Sequence, residues 1–185
     1  DGVNVKNYKF DTLYDKLGYV TQKAVLFAGS IRENVFFGES AAPETDEELK
    51  NAIELSQAEE FVDKLPDGAE HMISQMGRNV SGGQKQRLSI ARALSRKPEI
   101  LVFDDSFSAL DYKTDAKLRE GLNEKLKDTT KIIVAQRIST IRHADKIIVL
   151  DRGEAVGMGT HEELMKNCDV YKEIALSQLS AAELA

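Results

Sequence analysis

The stretch Asn79-Val80-Ser81-Gly82-Gly83-Gln84-Lys85-Gln86-Arg87 opens a predicted helix over residues 82–95. Ser81 and Gln84 fit a Ser-x-x-Gln capping box, and the two glycines allow another molecule to approach the backbone closely. Exposed backbone N–H groups at the positive end of a helix dipole form a socket for phosphate. The stretch therefore predicts an anion site at residues 81–83. The alternative is an ordinary capped helix that follows a glycine turn.

The composition is that of a globular protein with one sizeable core. The chain has 185 residues, of which 42% are hydrophobic and 30% charged, and its net charge is −6. Acidic and basic residues are interspersed without a basic stripe, which argues against nucleic acid as a partner. The single cysteine, Cys168, fits a reducing compartment. No signal peptide is visible, and because the chain begins at Asp1, we expect it to be a piece of a longer polypeptide.

Helices and strands alternate along the sequence, which predicts an α/β fold with a mostly parallel sheet. Strands are predicted over residues 18–21, 99–103, 131–135 and 146–150, and helices over residues 42–65, 82–95, 113–126 and 138–143, with a last helix that Thr160 and Glu163 cap. The last three strands are predominantly apolar, as strands buried on both faces of a parallel sheet are. A hairpin turn at residues 151–154 is predicted to lead into residues 155–158.

The segment Ile100-Leu101-Val102-Phe103-Asp104-Asp105 places two carboxylates at the end of a predicted buried strand. Ligands of open α/β sheets bind at this carboxyl edge. An acid there suits a hydrated Mg²⁺ ion, which prefers carboxylate and water oxygens. The alternative is a helix cap after a strand, since aspartate caps helices well.

In the order and spacing of its motifs, the chain resembles the nucleotide-binding domain of an ABC transporter of the exporter type. The matching blocks are residues 19–22 and 26–35 for the Q-loop and the segment after it, 81–87 for the signature motif, 100–105 for Walker B, 108–111 for the D-loop, 134–140 for the switch region and 159–164 for the tail. The resemblance covers nearly the whole chain. It implies a partial P-loop-NTPase-like core with an inserted α-helical signature subdomain.

The resemblance also implies ATP and Mg²⁺ as cofactors and assigns roles by position. Gln22 would contact Mg²⁺ or the attacking water and couple to the membrane domain, and Asp104 would position Mg²⁺. The signature motif would bind the γ-phosphate of an ATP held by a partner domain, and Asp111 would bridge the two domains of a head-to-tail sandwich. The nucleotide-binding residues implied are Ser81, Gly82, Gly83, Gln84, Ser108 and Asp111.

The same resemblance divides the chain into segments and implies partners. Residues 1–41 would form part of the ATPase core with the Q-loop, 42–95 the helical subdomain, 96–159 the remaining core and 160–185 a helical tail. The partners would be a second, non-identical nucleotide-binding domain and the transmembrane domain of the same polypeptide, against which residues 31–34 would lie. The resemblance would place the domain at the cytoplasmic face of the cell membrane.

The sequence departs from the family in lacking a Walker A loop, which needs the pattern G-x-x-x-x-G-K-[ST]. No glycine in the chain is followed by lysine. The family places this loop upstream of the Q-loop, before Asp1. We therefore expect this chain alone to be inactive and to bind ATP weakly or not at all. We also expect marginal stability and exposed apolar surface.

Two further departures fall on catalytic positions. Asp105 stands where active members usually carry glutamate as the base, and Gln136 stands where they usually carry histidine. Aspartate withdraws the carboxylate by about 1 Å, a misplacement that can cost about 10²-fold in rate. The neutral side-chain amide of Gln136, unlike a histidine ring, cannot take up a proton and become positively charged.

Together these changes resemble the degenerate-site subunit of a bacterial heterodimeric multidrug exporter. Such a domain would hydrolyse its own ATP poorly but complete the partner's site. One alternative is a non-hydrolytic regulatory or dimerisation module. Another is an ABC-type ATPase acting on DNA, which the absence of long coiled coils and basic surface disfavours.

Overall fold

A computed structural model describes residues 2–178, and the chain divides into two compact units, Asp1–Val134 and Ala135–Ala185. The first unit contains α1 (Phe10–Lys16), β1 (Leu17–Val20), β2 (Gly29–Ser30), α2 (Ile31–Val35), α3 (Asp46–Leu55), α4 (Glu59–Val62), β3 (Met72–Ile73), α5 (Gly82–Ser95), β4 (Ile100–Asp104), α6 (Tyr112–Lys125) and β5 (Thr130–Val134). The second contains α7 (Ile138–Ile141), β6 (Ile147–Asp151), β7 (Glu154–Gly159), α8 (His161–Asn167) and α9 (Asp169–Gln178). Within residues 2–178, no helix has the length and apolar character needed to cross a bilayer.

The main sheet of the first unit has the strand order β1-β4-β5, and both pairings are parallel. Tyr19 is registered with Val102, and Val102 with Ile132. Helices connect the strands, because parallel neighbours need a crossover. This mixture of helices and parallel strands confirms the α/β prediction.

One face of this sheet carries the core. Leu101 and Phe103 of β4 are fully buried in a cluster with Leu88 of α5 and Leu118 of α6. Successive side chains of a strand point to opposite faces, so the intervening residues form a second face.

That second face is exposed in this chain. Tyr19, Ile132 and Val134 are 55%, 50% and 52% exposed. The prediction that β4 and β5 are buried on both faces was therefore wrong for the second face, although exposed apolar surface was expected. The buried helical residues named above pack on the Leu101 and Phe103 side.

The helix predicted over residues 42–65 is two helices, α3 and α4, and the single-helix prediction was wrong. The chain turns at Gln57, which has a left-handed φ of 60°. Arg87 of α5 donates through Nη1 to the Gln57 carbonyl at 2.8 Å. This long-range contact fixes the turn and is invisible to a local helical pattern.

In the second unit, β6 and β7 form an antiparallel hairpin. Its turn has positive φ at Arg152 (49°) and Gly153 (86°), the conformation that suits a two-residue hairpin turn. Ile147 and Val149 pack into a core with Tyr171 of α9, whereas Ile148 and Leu150 are exposed. The prediction of a third buried strand over residues 146–150 was thus wrong, because β6 has one solvent face.

Candidate functional site

The carboxyl ends of β1 and β4 meet at one edge of the sheet, because Val20 is registered with Phe103. The residues that follow each strand therefore lie close together. Gln22 donates from Nε2 to Oδ2 of Asp105 across 3.0 Å. The structure thus joins two predicted site residues that are 83 positions apart in sequence.

Asp104 lies on the exposed face of β4, two residues beyond Val102. Because Val102 is registered with Tyr19, the tyrosine ring reaches diagonally along the same face. The Tyr19 hydroxyl donates to Oδ2 of Asp104 at 2.8 Å. Holding the phenolic proton against a carboxylate raises the pKa of Tyr19 above its usual value, with burial as a smaller cause.

Asp105 has a left-handed backbone conformation, with φ 46° and ψ 28°. Aspartate tolerates this region better than most residues. Its amide donates to the Val134 carbonyl at 3.0 Å, and the Ser108 hydroxyl donates to the Asp105 carbonyl at 2.7 Å. These contacts fix the turn that carries Asp105, so Ser108 supports the position of a predicted catalytic residue.

The N-terminus of α5 has the capping box that the sequence predicts. The Gln84 amide donates to the Ser81 hydroxyl oxygen at 3.3 Å, and the Ser81 amide donates to Oε1 of Gln84 at 2.8 Å. Ser81 and Gly82 are exposed, and Gly83 is half-buried. A Cβ added to Gly82 would meet nothing within 4 Å, so the backbone there is open to another molecule.

Asp111 acts as the N-cap of α6. Its carboxylate accepts from the Thr114 amide at 2.9 Å and from the Thr114 hydroxyl at 2.7 Å. These two hydrogen bonds lower the pKa of Asp111, the backbone donor contributing most. The carboxylate is exposed and stays ionised near neutral pH.

Gln136 belongs to the second unit. Its carbonyl accepts from Nε2 of Gln178 at 2.8 Å, while Oε1 of Gln178 accepts from the Ile138 amide at 2.9 Å. The C-terminal helix α9 thereby holds the segment that follows Ala135. Of the predicted site residues, the first unit carries all except Gln136.

The family profile described as ABC transporter matches residues 1–108 of this chain. The chain belongs to the ABC transporter family. An uncharacterized ABC transporter ATP-binding protein of Mycobacterium tuberculosis is 44% identical over 185 residues, covering 98% of this chain and 31% of that protein. A Staphylococcus aureus protein, provisionally named a multidrug export ATP-binding/permease protein, is 41% identical over 174 residues, covering 94% of this chain and 30% of that protein.

A solved structure of a bacterial Atm1-family ABC exporter with ATP bound has the same fold. Its TM-score is 0.89 with 33% sequence identity, and the likeness covers 96% of this chain and 31% of that one. The chain is therefore the ATP-binding domain of an ABC transporter with exporter-type relatives. It spans about a third of the length of these relatives.

An ABC transporter domain implies a Mg²⁺ ion bound together with a nucleotide. The residues at the sheet edge supply only part of a Mg²⁺ ligand set, so the ion would also need oxygens from the nucleotide. Among residues 2–178, no group of three or more His, Cys, Asp or Glu side chains is arranged to hold a metal ion. Mg²⁺ is commonly bound through one or two carboxylates, several waters and substrate phosphates. Asp104, at the end of β4 and next in sequence to Asp105, which the Gln22 amide contacts, fits that partial set.

Three residues of this ABC domain were missed by the sequence analysis as site residues. Gln86 is 1% exposed and donates to the Thr21 carbonyl at 3.2 Å, which ties α5 to the Q-loop. Arg92 donates to the carbonyls of Val25 and Asn34 at 2.9 and 2.7 Å. The third is Tyr19, whose hydroxyl contacts Asp104. Of the three, Gln86 has a signal in the sequence, because it is a polar residue on the apolar stripe of α5.

A cleft of about 300 Å³ lies between α3 and α4, away from all of these residues. Arg32 on its wall is paired with Asp46 and Glu70, both at 2.6 Å. A guanidinium that is already neutralised by two carboxylates offers little to a phosphate. The open N-terminus of α5 and the sheet edge are therefore the better candidates for nucleotide chemistry.

Proposed function

We propose that this domain binds Mg-ATP together with a second, non-identical nucleotide-binding domain and couples its hydrolysis to export across a membrane. The supporting observation is the open N-terminus of α5, where Ser81 and Gly82 are exposed and the backbone is uncovered. In this proposal Ser81, Gly82, Gly83 and Gln84 bind the terminal phosphate of an ATP held by the partner domain. Helix dipole and backbone amides supply the attraction.

The sheet edge supplies the second part of the proposed site. Asp104 holds Mg²⁺ with Gln22, and Asp105 polarises the attacking water. Bound magnesium would neutralise charge on the transferred phosphoryl group. The D-loop residues Ser108 and Asp111 contribute to the nucleotide interface, and Gln136 occupies the position of the switch residue.

Unequal activity of the two sites follows from Asp105 and Gln136. The shorter carboxylate and the neutral amide weaken hydrolysis at this domain's own site, while the signature motif remains intact for the partner. We further propose that the domain lies at the cytoplasmic face of the membrane, against a transmembrane domain. In this chain alone, ATP binding would be weak, because no Walker A pattern occurs in its sequence.

ATP binding and phosphate release by the complete transporter test this proposal. We expect Mg-ATP binding by the wild type, a large loss of phosphate release in Ser81→Ala and a small loss in Asp105→Ala. A transporter that neither binds Mg-ATP nor releases phosphate would contradict the function. Equal losses in the two variants would contradict the unequal sites.

A non-hydrolytic module is the second candidate, and the same two substitutions favour it. In that case ATP would hold two domains together without being consumed. Removing the partner domain's catalytic carboxylate separates the two functions. Loss of all phosphate release with retained ATP binding would support the non-hydrolytic role for this domain's own site, and continued release would contradict it.

A further inference from the structure

The hydroxyl of Tyr19 lies 2.8 Å from Oδ2 of Asp104, the carboxylate at the end of β4. The register of β1 with β4 produces this contact, because it sets Tyr19 beside Val102 and one diagonal step from Asp104. Both side chains stand on the exposed face of the sheet. The contact is therefore a consequence of strand pairing, not of a mobile loop.

We propose that Tyr19 is a positioning residue for the magnesium carboxylate of this site. The proposal rests on the function proposed above, in which Asp104 binds Mg²⁺ with a nucleotide. The phenol holds Oδ2 of Asp104, which fixes the rotation of the carboxylate and presents its other oxygen, Oδ1, for a hydrated cation. In this role the phenol acts through the Asp104 carboxylate and not on the nucleotide itself.

Physical chemistry favours an orienting partner at this position. A carboxylate at an open sheet edge loses side-chain entropy when it binds a metal ion, and a hydrogen bond formed beforehand removes part of that loss. Hydrogen-bond partners that orient the ligands of a metal ion typically contribute 10- to 100-fold to metal affinity. Tyrosine suits the task because its ring is rigid and its hydroxyl is a donor at neutral pH.

The opposite role would be competition, in which the phenol must release Asp104 before a cation binds. The two roles predict opposite effects of removing the hydroxyl. Tyr19→Phe keeps the ring on the sheet and removes only the donor. Tyr14→Phe is the matched control, because Tyr14 is another exposed tyrosine, on α1.

Binding of Mn²⁺, as a spectroscopic substitute for Mg²⁺, tests the proposal in the complete transporter with ATP. Electron paramagnetic resonance gives its dissociation constant without reference to turnover. We expect Tyr19→Phe to weaken Mn²⁺ binding about tenfold, with ATP affinity in the presence of a chelator unchanged. Tyr14→Phe should match the wild type. Saturating Mn²⁺ should restore full occupancy.

A double-mutant cycle separates positioning from general damage. In the Asp104→Asn background, Tyr19→Phe should cause little further loss, because the carboxylate that it orients is gone. Unchanged or tighter Mn²⁺ binding in Tyr19→Phe would overturn the proposal while ATP binding by the wild type stands. Failure of the wild type to bind ATP at all would overturn the proposed function and this role with it.

Discussion

Gln22 donates from Nε2 to Oδ2 of Asp105 across 3.0 Å, joining the segment after β1 to the turn after β4. The amide restrains the carboxylate at the sheet edge, and Asp105 itself lies in a turn with a left-handed backbone conformation. This hydrogen bond opposes a forward movement of the side chain that would compensate for the missing methylene. The rate of chemistry at this position should therefore depend on side-chain length.

Lengthening Asp105 by one methylene should raise ATP turnover. In the complete transporter with the partner domain's catalytic carboxylate removed, so that only this domain's site can turn over, we expect Asp105→Glu to increase phosphate release by up to about 10²-fold, because the base regains about 1 Å of reach. Asp105→Asn, which keeps the size and removes the charge, should give no increase. Melting temperature should be measured alongside, since glutamate tolerates positive φ less well than aspartate. Turnover in Asp105→Glu no higher than in the wild type would contradict the degenerate-site proposal.

Removal of the Ser81 hydroxyl should reduce turnover far more than removal of the Asp105 carboxylate. Ser81 also caps α5, so Ser81→Ala loses about 1 kcal/mol of stability independently of phosphate binding. Thr160→Ala is the control for that loss, because Thr160 forms the same capping box at α8. We expect both variants to lose stability but only Ser81→Ala to lose phosphate release. A comparable loss of release in Thr160→Ala would show that capping alone explains the effect.

Features encoded by neighbouring residues could be predicted from the sequence. The capping boxes at Ser81 and Thr160 are present as predicted, and Thr45 caps α3. The end of β4 was located within one residue because an apolar run stops abruptly at two acids. Local hydrogen bonding and side-chain periodicity suffice for such features.

Features set by distant residues could not be predicted. The break at Gln57 depends on Arg87, 30 positions away, and the Tyr19–Asp104 contact depends on the pairing of β1 with β4. Whether a sheet face is exposed depends on what packs against it. A run of valine and isoleucine gives the same hydrophobic pattern in a strand buried on both faces and in a strand with one exposed face. The sequence therefore predicted which residues lie at the sheet edge, but not which donors hold them.

Arg92 should be a major contributor to the stability of the first unit. Its guanidinium donates to the carbonyls of Val25 and Asn34 and to Oδ1 of Asn34 at 3.0 Å, and it lies over the rings of Phe27 and Phe37. Burial lowers the pKa of Arg92 from its usual value, yet arginine remains charged.

We expect Arg92→Ala to lower the free energy of unfolding by about 3 kcal/mol, because the carbonyl and the side chain of the buried Asn34 lose a charged donor. The free energy of unfolding of Arg92→Lys should lie between those of the wild type and Arg92→Ala, because a lysine ammonium cannot reproduce the planar, forked set of donors of arginine. Urea denaturation measures both. Lys64→Ala, which breaks an exposed pair with Glu60, should change stability by less than about 0.5 kcal/mol and serves as the control. A loss in Arg92→Ala no larger than in Lys64→Ala would contradict this role.

The Asp111 carboxyl should titrate below the usual aspartate range. Its folded-state pKa is lowered by the Thr114 amide and hydroxyl, so its contribution to stability is present above the unfolded value, about pH 3.9, and is lost as pH falls through the lower folded value. Thr114→Val removes the hydroxyl donor and should raise the pKa of Asp111, while Thr114→Ser should preserve it. Carbon-13 NMR of the side-chain carboxyl measures the change. An identical pKa in Thr114→Val would contradict this assignment.

The uncovered sheet face should make the isolated chain self-associate. Ile132 and Val134 are half-exposed on β5, an edge strand of the three-stranded sheet, and lie on the same sheet face as Tyr19 of β1. Apolar surface next to an unpaired strand edge favours pairing with another chain. Ile132→Lys places a charge in this face and should shift sedimentation profiles toward monomer. Leu176→Lys adds the same charge at an exposed site on α9, so equal effects of the two variants would show that net charge, and not the sheet face, drives association.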